Sequence, residues 1–230
     1  MLNKFNCFFV GSFKWSIFTE KQNQTEKNKI MKLLIIGGSG TIGKKVTQHF
    51  KSKHEVLVAG RFSGDVTVDI KDSNSIKSMF EKVGSLDAIL SIAGDARWAS
   101  FNDLTEEDYY IGIKSKLMGQ VNVVRIGKDY LKPKGSITLS TGILGDYPVD
   151  KTTSAAMVNG ALHSFVKAVD LEIENEIRVN VVSLGLVQDA YEKYKDYFPG
   201  HNPISMTKAV NAYVMSVEGK GRGEVIKVYK

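Results

Sequence analysis

The sequence predicts a single α/β domain over residues 31–230, built on a doubly wound parallel sheet of about seven strands. Three observations predict it. Short runs rich in Val, Ile and Leu alternate along the chain with segments whose apolar residues recur at helical spacing, as expected of strands buried on both faces and their crossover helices. The first such run, Leu33 to Ile36, stops at Gly37, and glycines at 40 and 43 open a helical pattern, giving strand, tight turn, helix. A chain of 230 residues, 43% hydrophobic and 24% charged, is long enough for one sizeable core.

Each element follows from its pattern. Ile42, Val46 and Phe50 share a face of the first helix. The second strand is Val56 to Ala59, followed by Gly60-Arg61, and a short third strand, Val66 to Val68, ends at Asp69. Asp72 or Ser73 can cap a helix with Ile76, Met79, Phe80 and Val83 on one side. Ala88 to Ile92 is the fourth strand, and the loop Ala93-Gly94-Asp95-Ala96-Arg97-Trp98 follows. Thr105-Glu106-Glu107-Asp108 is a capping-box pattern that opens a long helix running to about Gly127. The fifth strand is Ser136 to Ser140. A loop with Pro148 leads into a helix from about Thr153 to Glu174, Arg178 to Ser183 is the sixth strand, a helix lies near Thr207 to Val217, and Val225 to Val228 closes the sheet.

Residues 1–30 read differently, as aromatics mixed with lysines and then a polar stretch without periodicity. Lys14 and Trp15 interrupt any signal-peptide core, no Arg suggests a transit peptide, and no run reaches the roughly 20 apolar residues of a membrane span. Met31 immediately precedes the first strand, so the expectation is a disordered extension with the working protein starting at Met31. The formal charge is +6, but the five Lys and two Glu of residues 1–30 account for half of it. No basic face stands out, and neither a nucleic-acid nor a membrane partner is expected. The only cysteine is Cys7, so the body of the chain has no disulfide or thiolate metal site, and a reducing, cytoplasmic setting is the natural expectation.

A strand feeding a helix through glycines leaves free N–H groups at the positive end of the helix dipole, where a pyrophosphate fits. Gly37 lets the chain turn, Gly40 lets a phosphate approach, and Gly43 lets the helix pack closely. A dinucleotide site chooses between NAD and NADP at the end of the second strand. Arg61 stands there in place of a carboxylate, and with Ser39 it favours the 2′-phosphate of NADP(H).

On these residues the chain resembles the short-chain dehydrogenase/reductase family over essentially all of residues 31–230. Gly37-x-x-Gly40-x-x-Gly43 is similar to the family's glycine turn, with Thr41 at the place of its commonest second glycine. Asp69 resembles the acid that contacts adenine, and Ser91-Ile92-Ala93-Gly94 resembles an Asn-Asn-Ala-Gly turn that has lost both asparagines. Arg178 to Gly185 resembles the sixth strand and its exit, and Gly223-Glu224-Val225-Ile226 the closing strand. The resemblance implies a Rossmann-type fold and NADP(H) contacts from Thr41, Ile42, Asp69, Ala93, Gly94, Gly185 and Val187 beside the glycine turn.

It also implies oxidoreduction of a small carbonyl or alcohol, through a relay of serine, tyrosine, lysine and asparagine. Ser140 or Thr141 matches the serine. Aligning Gly160-Ala161-Leu162 with the usual helix puts Ala155 at the tyrosine and Asn159 at the lysine. Tyr147-x-x-x-Lys151 has the internal spacing but starts too soon after Ser140. Lys116 occupies the asparagine's position, so Lys116 and Asn159 read as an exchanged pair, with Lys116 the expected proton donor and Tyr147 the second candidate. The alternative is a protein that binds NADP(H) and signals its occupancy without turnover. A third is a structural protein that binds none. Trp98, Tyr191, Tyr194, Tyr197 and Phe198 either line a small apolar pocket or pack on the core. Ala156, Gly160 and Ser164 give one helix a flat side, and family members commonly pair there, which implies a homodimer or homotetramer.

Overall fold

Strands that run parallel must be returned to the same end of the sheet, and the chain does this mostly with helices. In the computed structural model, which describes residues 30–230, the strands are β1 (Lys32–Ile36), β2 (Glu55–Gly60), β3 (Val66–Thr67), β4 (Leu86–Ser91), β5 (Leu131–Gly142), β6 (Arg178–Leu184) and β7 (Val225–Val228). They form one parallel sheet in the order β3-β2-β1-β4-β5-β6-β7. The winding reverses between β1 and β4, which places the crevice at their carboxyl ends. The extension expected over residues 1–30 falls, apart from Ile30, outside the described residues.

The helices are α1 (Thr41–Lys51), α2 (Ser73–Val83), α3 (Glu106–Gly112), α4 (Met118–Gly127), α5 (Thr153–Val169), the short α6 (Tyr191–Tyr194) and α7 (Met206–Glu218). Alternation along the strands divides the core into two layers. Leu34 and Ile36 of β1 meet α2, α4 and α5 through Ile76, Phe80, Val123 and Leu162. Leu33 and Ile35 face the other way, toward Val46 and Phe50 of α1 and Ala212 and Tyr213 of α7. Each fully buried Leu, Ile or Phe contributes about 1.5–3 kcal/mol relative to exposure, so the layers hold both faces of the sheet. Among the described residues no helix is long and apolar enough to cross a membrane.

Three elements depart from expectation. The helix expected to reach Glu174 stops at Val169, because the chain reverses through Asn175 and Glu176 at positive φ and Lys134 N–H donates to the Asn175 carbonyl. Strand β5 begins at Leu131 rather than Ser136, with an irregularity in its pairing to β4 between Leu86 and Ala88. The long helix is interrupted. Thr105 and Asp108 form the expected capping box, but Ile113–Leu117 is a π-helical turn in which Met118 N–H reaches back to the Ile113 carbonyl. Such turns are rare and concentrate at functional sites.

Candidate active site

The glycine turn comes first because its geometry is the most constrained. Gly37 has φ +80°, and a Cβ there would lie 2.4 Å from the Ile92 carbonyl oxygen; one on Gly43 would lie 2.1 Å from the Gly37 oxygen. Both positions require glycine. Gly43 therefore seats α1 against the turn itself rather than against the strand. A Cβ on Gly40 would meet only the Gly37 oxygen, at 3.4 Å, so this glycine leaves open space on the cavity side. Gly40 is the N-cap of α1 with no side-chain cap, and the N–H groups of Thr41, Ile42 and Gly43 have no carbonyl within their helix. These donors and the positive helix end suit a pyrophosphate.

A cavity of about 440 Å³ runs from this turn along the carboxyl ends of the strands. One end is lined by Gly60, Arg61, Asp69, Ile70 and Lys71, the middle by Ser39, Gly40, Ile42, Ala93 and Gly94, and the far end by Asp95, Ser115, Lys116, Ser140 and Thr141. Of the expected cofactor contacts, Gly37, Ser39, Gly40, Ile42, Arg61, Asp69, Ala93 and Gly94 all lie on it. Thr41 is exposed at the helix start, and Gly43 is buried behind the turn. Gly185 and Val187 lie off the cavity: Gly185 N–H donates to the Val228 carbonyl, and Val187 is buried in a parallel bridge with Ile204. Arg61 Nη2 donates to both Asp69 oxygens, at 3.3 and 3.4 Å. The Asp69 carboxyl is held below its usual range chiefly by the Lys71 N–H, which outweighs the opposing effect of burial with help from Arg61.

The far end is built by the π turn. Gly94, at φ +122°, sits so close to it that a Cβ would fall 2.7 Å from Lys116 Cα, and Ser115 Oγ accepts the Asp95 N–H at 3.1 Å. This packing turns Lys116 toward the cavity. Burial pushes its ammonium pKa down, partly countered by Asp95. One turn later the buried Gln120 holds Ser140 from both sides: Nε2 donates to the Ser140 carbonyl at 2.9 Å, and Ser140 N–H donates to Oε1 at 2.8 Å. Gln120 thus closes the end of β5 where strand pairing to β4 has run out at Thr138.

Ser140 and Thr141 are adjacent on a strand, so their hydroxyls leave on opposite faces. Ser140 Oγ pairs with the Tyr213 hydroxyl of α7 at 2.9 Å, and burial pushes the fully buried Tyr213 pKa up to about 12. Thr141 Oγ1 pairs with His163 Nε2 of α5, also at 2.9 Å. Only Thr141 is therefore tied to the helix that the resemblance makes catalytic.

The other expected catalytic residues are not brought to the cavity. Ser154 and Val158 face Gly112 of α3, one position ahead of Ala155 and Asn159. Asn159 lies under the 143–145 turn, where it is buried and its Oδ1 finds no donor among the described residues. The exchanged pair of Lys116 and Asn159 is thus not assembled at the cavity. Tyr147 is 60% exposed and meets the edge of Tyr229, and Lys151 is exposed at φ +64°, so their spacing has no helix beneath it. Trp98 packs on Tyr194 and Tyr197, and with Phe198, Ile143 and Leu186 they form a small separate core rather than the cavity wall. Gln120, Tyr213 and His163 carried no local signal, since each acts on a strand 20 or more residues away. No group of three or more His, Cys, Asp or Glu suited to a metal occurs among the described residues.

Known proteins agree with this architecture. A family model described as enoyl-(acyl carrier protein) reductase matches residues 36–212. The 3-oxoacyl-[acyl-carrier-protein] reductase FabG of Thermotoga maritima is 26% identical over 180 residues, 67% of this chain and 73% of its own. The crystal structure of the protein lin1944 from Listeria innocua superposes with a TM-score of 0.85 at 44% identity, covering 86% of this chain and 100% of its own. A small-chain dehydrogenase solved in complex with NADPH gives a TM-score of 0.77 at 28% identity, over 87% of this chain and 97% of its own. Glycine turn, strand order and matched length together place the chain in the short-chain dehydrogenase/reductase family.

Proposed function

We propose that the protein is an NADP(H)-dependent oxidoreductase that moves a hydride between the nicotinamide and a small carbonyl or alcohol, with an altered catalytic relay. The observation that carries this reading is one continuous cavity with a phosphate-suited glycine turn in its middle, cations at one end, and Lys116 with two hydroxyls at the other. Bound NADPH supplies the hydride. The chain does the rest: the α1 N-terminus holds the pyrophosphate, and Arg61 and Lys71 offer charge to a 2′-phosphate. Lys116 and Thr141 meet the negative charge that develops on the substrate oxygen. The NADPH-bound relative supports the choice of cofactor.

Thermal unfolding with each dinucleotide tests the reading. At ~100 times its dissociation constant NADPH should add about 2.7 kcal/mol of stability, with NADH adding little at the same concentration. Stabilisation by neither removes the proposal. Stabilisation without NADPH consumption across aldehydes, ketones and quinones favours instead a sensor of NADP(H), a reading that the missing tyrosine and lysine at Ala155 and Asn159 keep in play.

Arg61→Ala should weaken NADPH about 10- to 100-fold, the loss of one charge-assisted hydrogen bond, and leave NADH unchanged. Isothermal titration reads both. The bond from Nη2 to Asp69 is exposed and weakly held, so it yields readily to a phosphate. The Ala156, Gly160 and Ser164 side of α5 is partly exposed, as a pairing face would be, and light scattering should report a dimer or tetramer.

A further inference from the structure

We propose that Thr141 and His163 form a proton relay from the cavity to solvent by way of Asp146, with Thr141 exchanging the proton of the alcohol and His163 carrying it outward. The inference rests on the oxidoreductase reading and names the group that the family's missing tyrosine would have been. Three features are built around this path. Thr141 lines the cavity, and its Oγ1 lies 2.9 Å from His163 Nε2 on a buried ring. His163 Nδ1 lies 3.9 Å from Asp146 Oδ1, and the Asp146 side chain is 24% exposed, which gives the path an outlet. Gly145 clears room for the ring: a Cβ there would stand 2.7 Å from His163 Cε1. A Leu at position 163 would satisfy the apolar packing of α5 without the desolvation that a buried imidazole incurs.

The groups facing His163 set its charge. Burial lowers its pKa, Asp146 opposes that, and Lys227 of β7 and Lys167 of α5 lower it further. Asp146 in turn accepts from the Tyr229 hydroxyl and from Lys227 Nζ at 3.0 Å, and these bonds outweigh its own burial and keep it ionised. Tyr229 also reaches Ser183 Oγ at 2.9 Å, fixing the far side of the carboxylate.

In the oxidative direction the neutral ring carries its proton on Nδ1, toward Asp146. As the carbinol hydrogen leaves with its electron pair to NADP⁺, the alcohol O–H bond breaks and its proton passes to Thr141 Oγ1. The Thr141 proton passes to His163 Nε2, and the imidazolium releases its Nδ1 proton to water beside Asp146. One hydride and one proton leave the alcohol, which becomes a carbonyl. Reduction runs the same transfers backward, starting from the imidazolium. Lys116 then supplies charge and Thr141 the proton, in place of the direct proton donation expected of Lys116, with Tyr147 as second candidate, from the sequence.

The test combines kinetics with histidine NMR, which is tractable because the chain has four histidines. With NADPH and whichever probe of an aldehyde, ketone and quinone panel the wild type reduces, His163→Gln should lower kcat about 100-fold or more, the scale of general acid catalysis, and leave NADPH affinity unchanged. Wild-type reduction should decline as pH rises through the His163 pKa, below 6.5. Asp146→Asn should move that limb to lower pH, His163→Gln should abolish it, and Thr141→Ser should retain it. In ¹⁵N-labelled protein the His163 Nε2 resonance and pKa should shift in Thr141→Val. An unchanged pH profile in His163→Gln, or a His163 signal indifferent to Thr141→Val, overturns the relay. Failure to bind NADPH or to reduce any probe counts instead against the oxidoreductase reading, and the NMR coupling of Thr141 to His163 then decides the relay by itself.

Discussion

Replacing Lys116 with methionine is expected to lower kcat for carbonyl reduction about 10²- to 10³-fold, the loss that follows removal of one preorganised oxyanion donor, while NADPH binding stays nearly unchanged. Methionine keeps the length and volume of the stem and deletes only the charge. The same variant should be more stable than the wild type. Lys116 is recessed and its pKa is lowered by burial, so the folded state disfavours the proton that the unfolded chain accepts freely. Between the folded pKa and 10.5 the unfolded state binds more protons, and the stability of the wild type therefore rises with pH. Lys116→Met removes that slope, and its advantage is fully present below the folded pKa. Steady-state kinetics and denaturant melts at pH 7 and pH 10 read both effects. An unchanged kcat would remove Lys116 from the chemistry.

Gln120→Leu is expected to lower stability by about 2–4 kcal/mol, because it strands a buried donor and a buried acceptor at once. The Ser140 N–H and carbonyl both lie where no neighbouring strand can pair with them, and the Gln120 amide is the group that does. Leucine fills much of the volume but offers neither partner. Urea unfolding should show a lower midpoint at an unchanged slope, and activity should fall as well, since Ser140 and Thr141 sit on the segment released. A shift below about 0.5 kcal/mol would mean that water replaces the amide there.

How far the sequence was legible follows the range of the interactions. Parallel strands buried on both faces read as apolar runs, and Leu33 to Ile36 was visible for that reason, whereas the edge strand Val225 to Val228, with Lys227 exposed, was legible from its β-branched residues. Gly37 and Gly43 were visible because steric exclusion leaves glycine no substitute, and Thr105 with Asp108 because a cap is a local bond. What distinguishes Ser140 from Thr141 was not visible, because their partners Tyr213 and His163 lie 73 and 22 residues away. The surroundings of Asn159 were not visible either, because on a helix one position is a rotation of about 100°, enough to turn a side chain from one neighbour to another. The ion pair of Arg61 with Asp69 was hidden too, since each residue had been read only against the ligand.

The π turn at Ile113–Leu117 has a further consequence for how such a cavity can change. A π turn is an α turn with one residue too many, and the surplus is absorbed locally while the helix on either side keeps its phase. Gly112 before it and Val123 after it are both buried, so both flanks are anchored and the surplus has nowhere else to go. Loss of a single codon within the turn, such as that of the exposed Lys114, would restore a plain helix with both anchored flanks in place and remove the bulge that presents Lys116. The presentation of Lys116 is thus separable from the packing of the fold by one residue of chain length, a step open to insertion and deletion where point substitution would have to rebuild the helix.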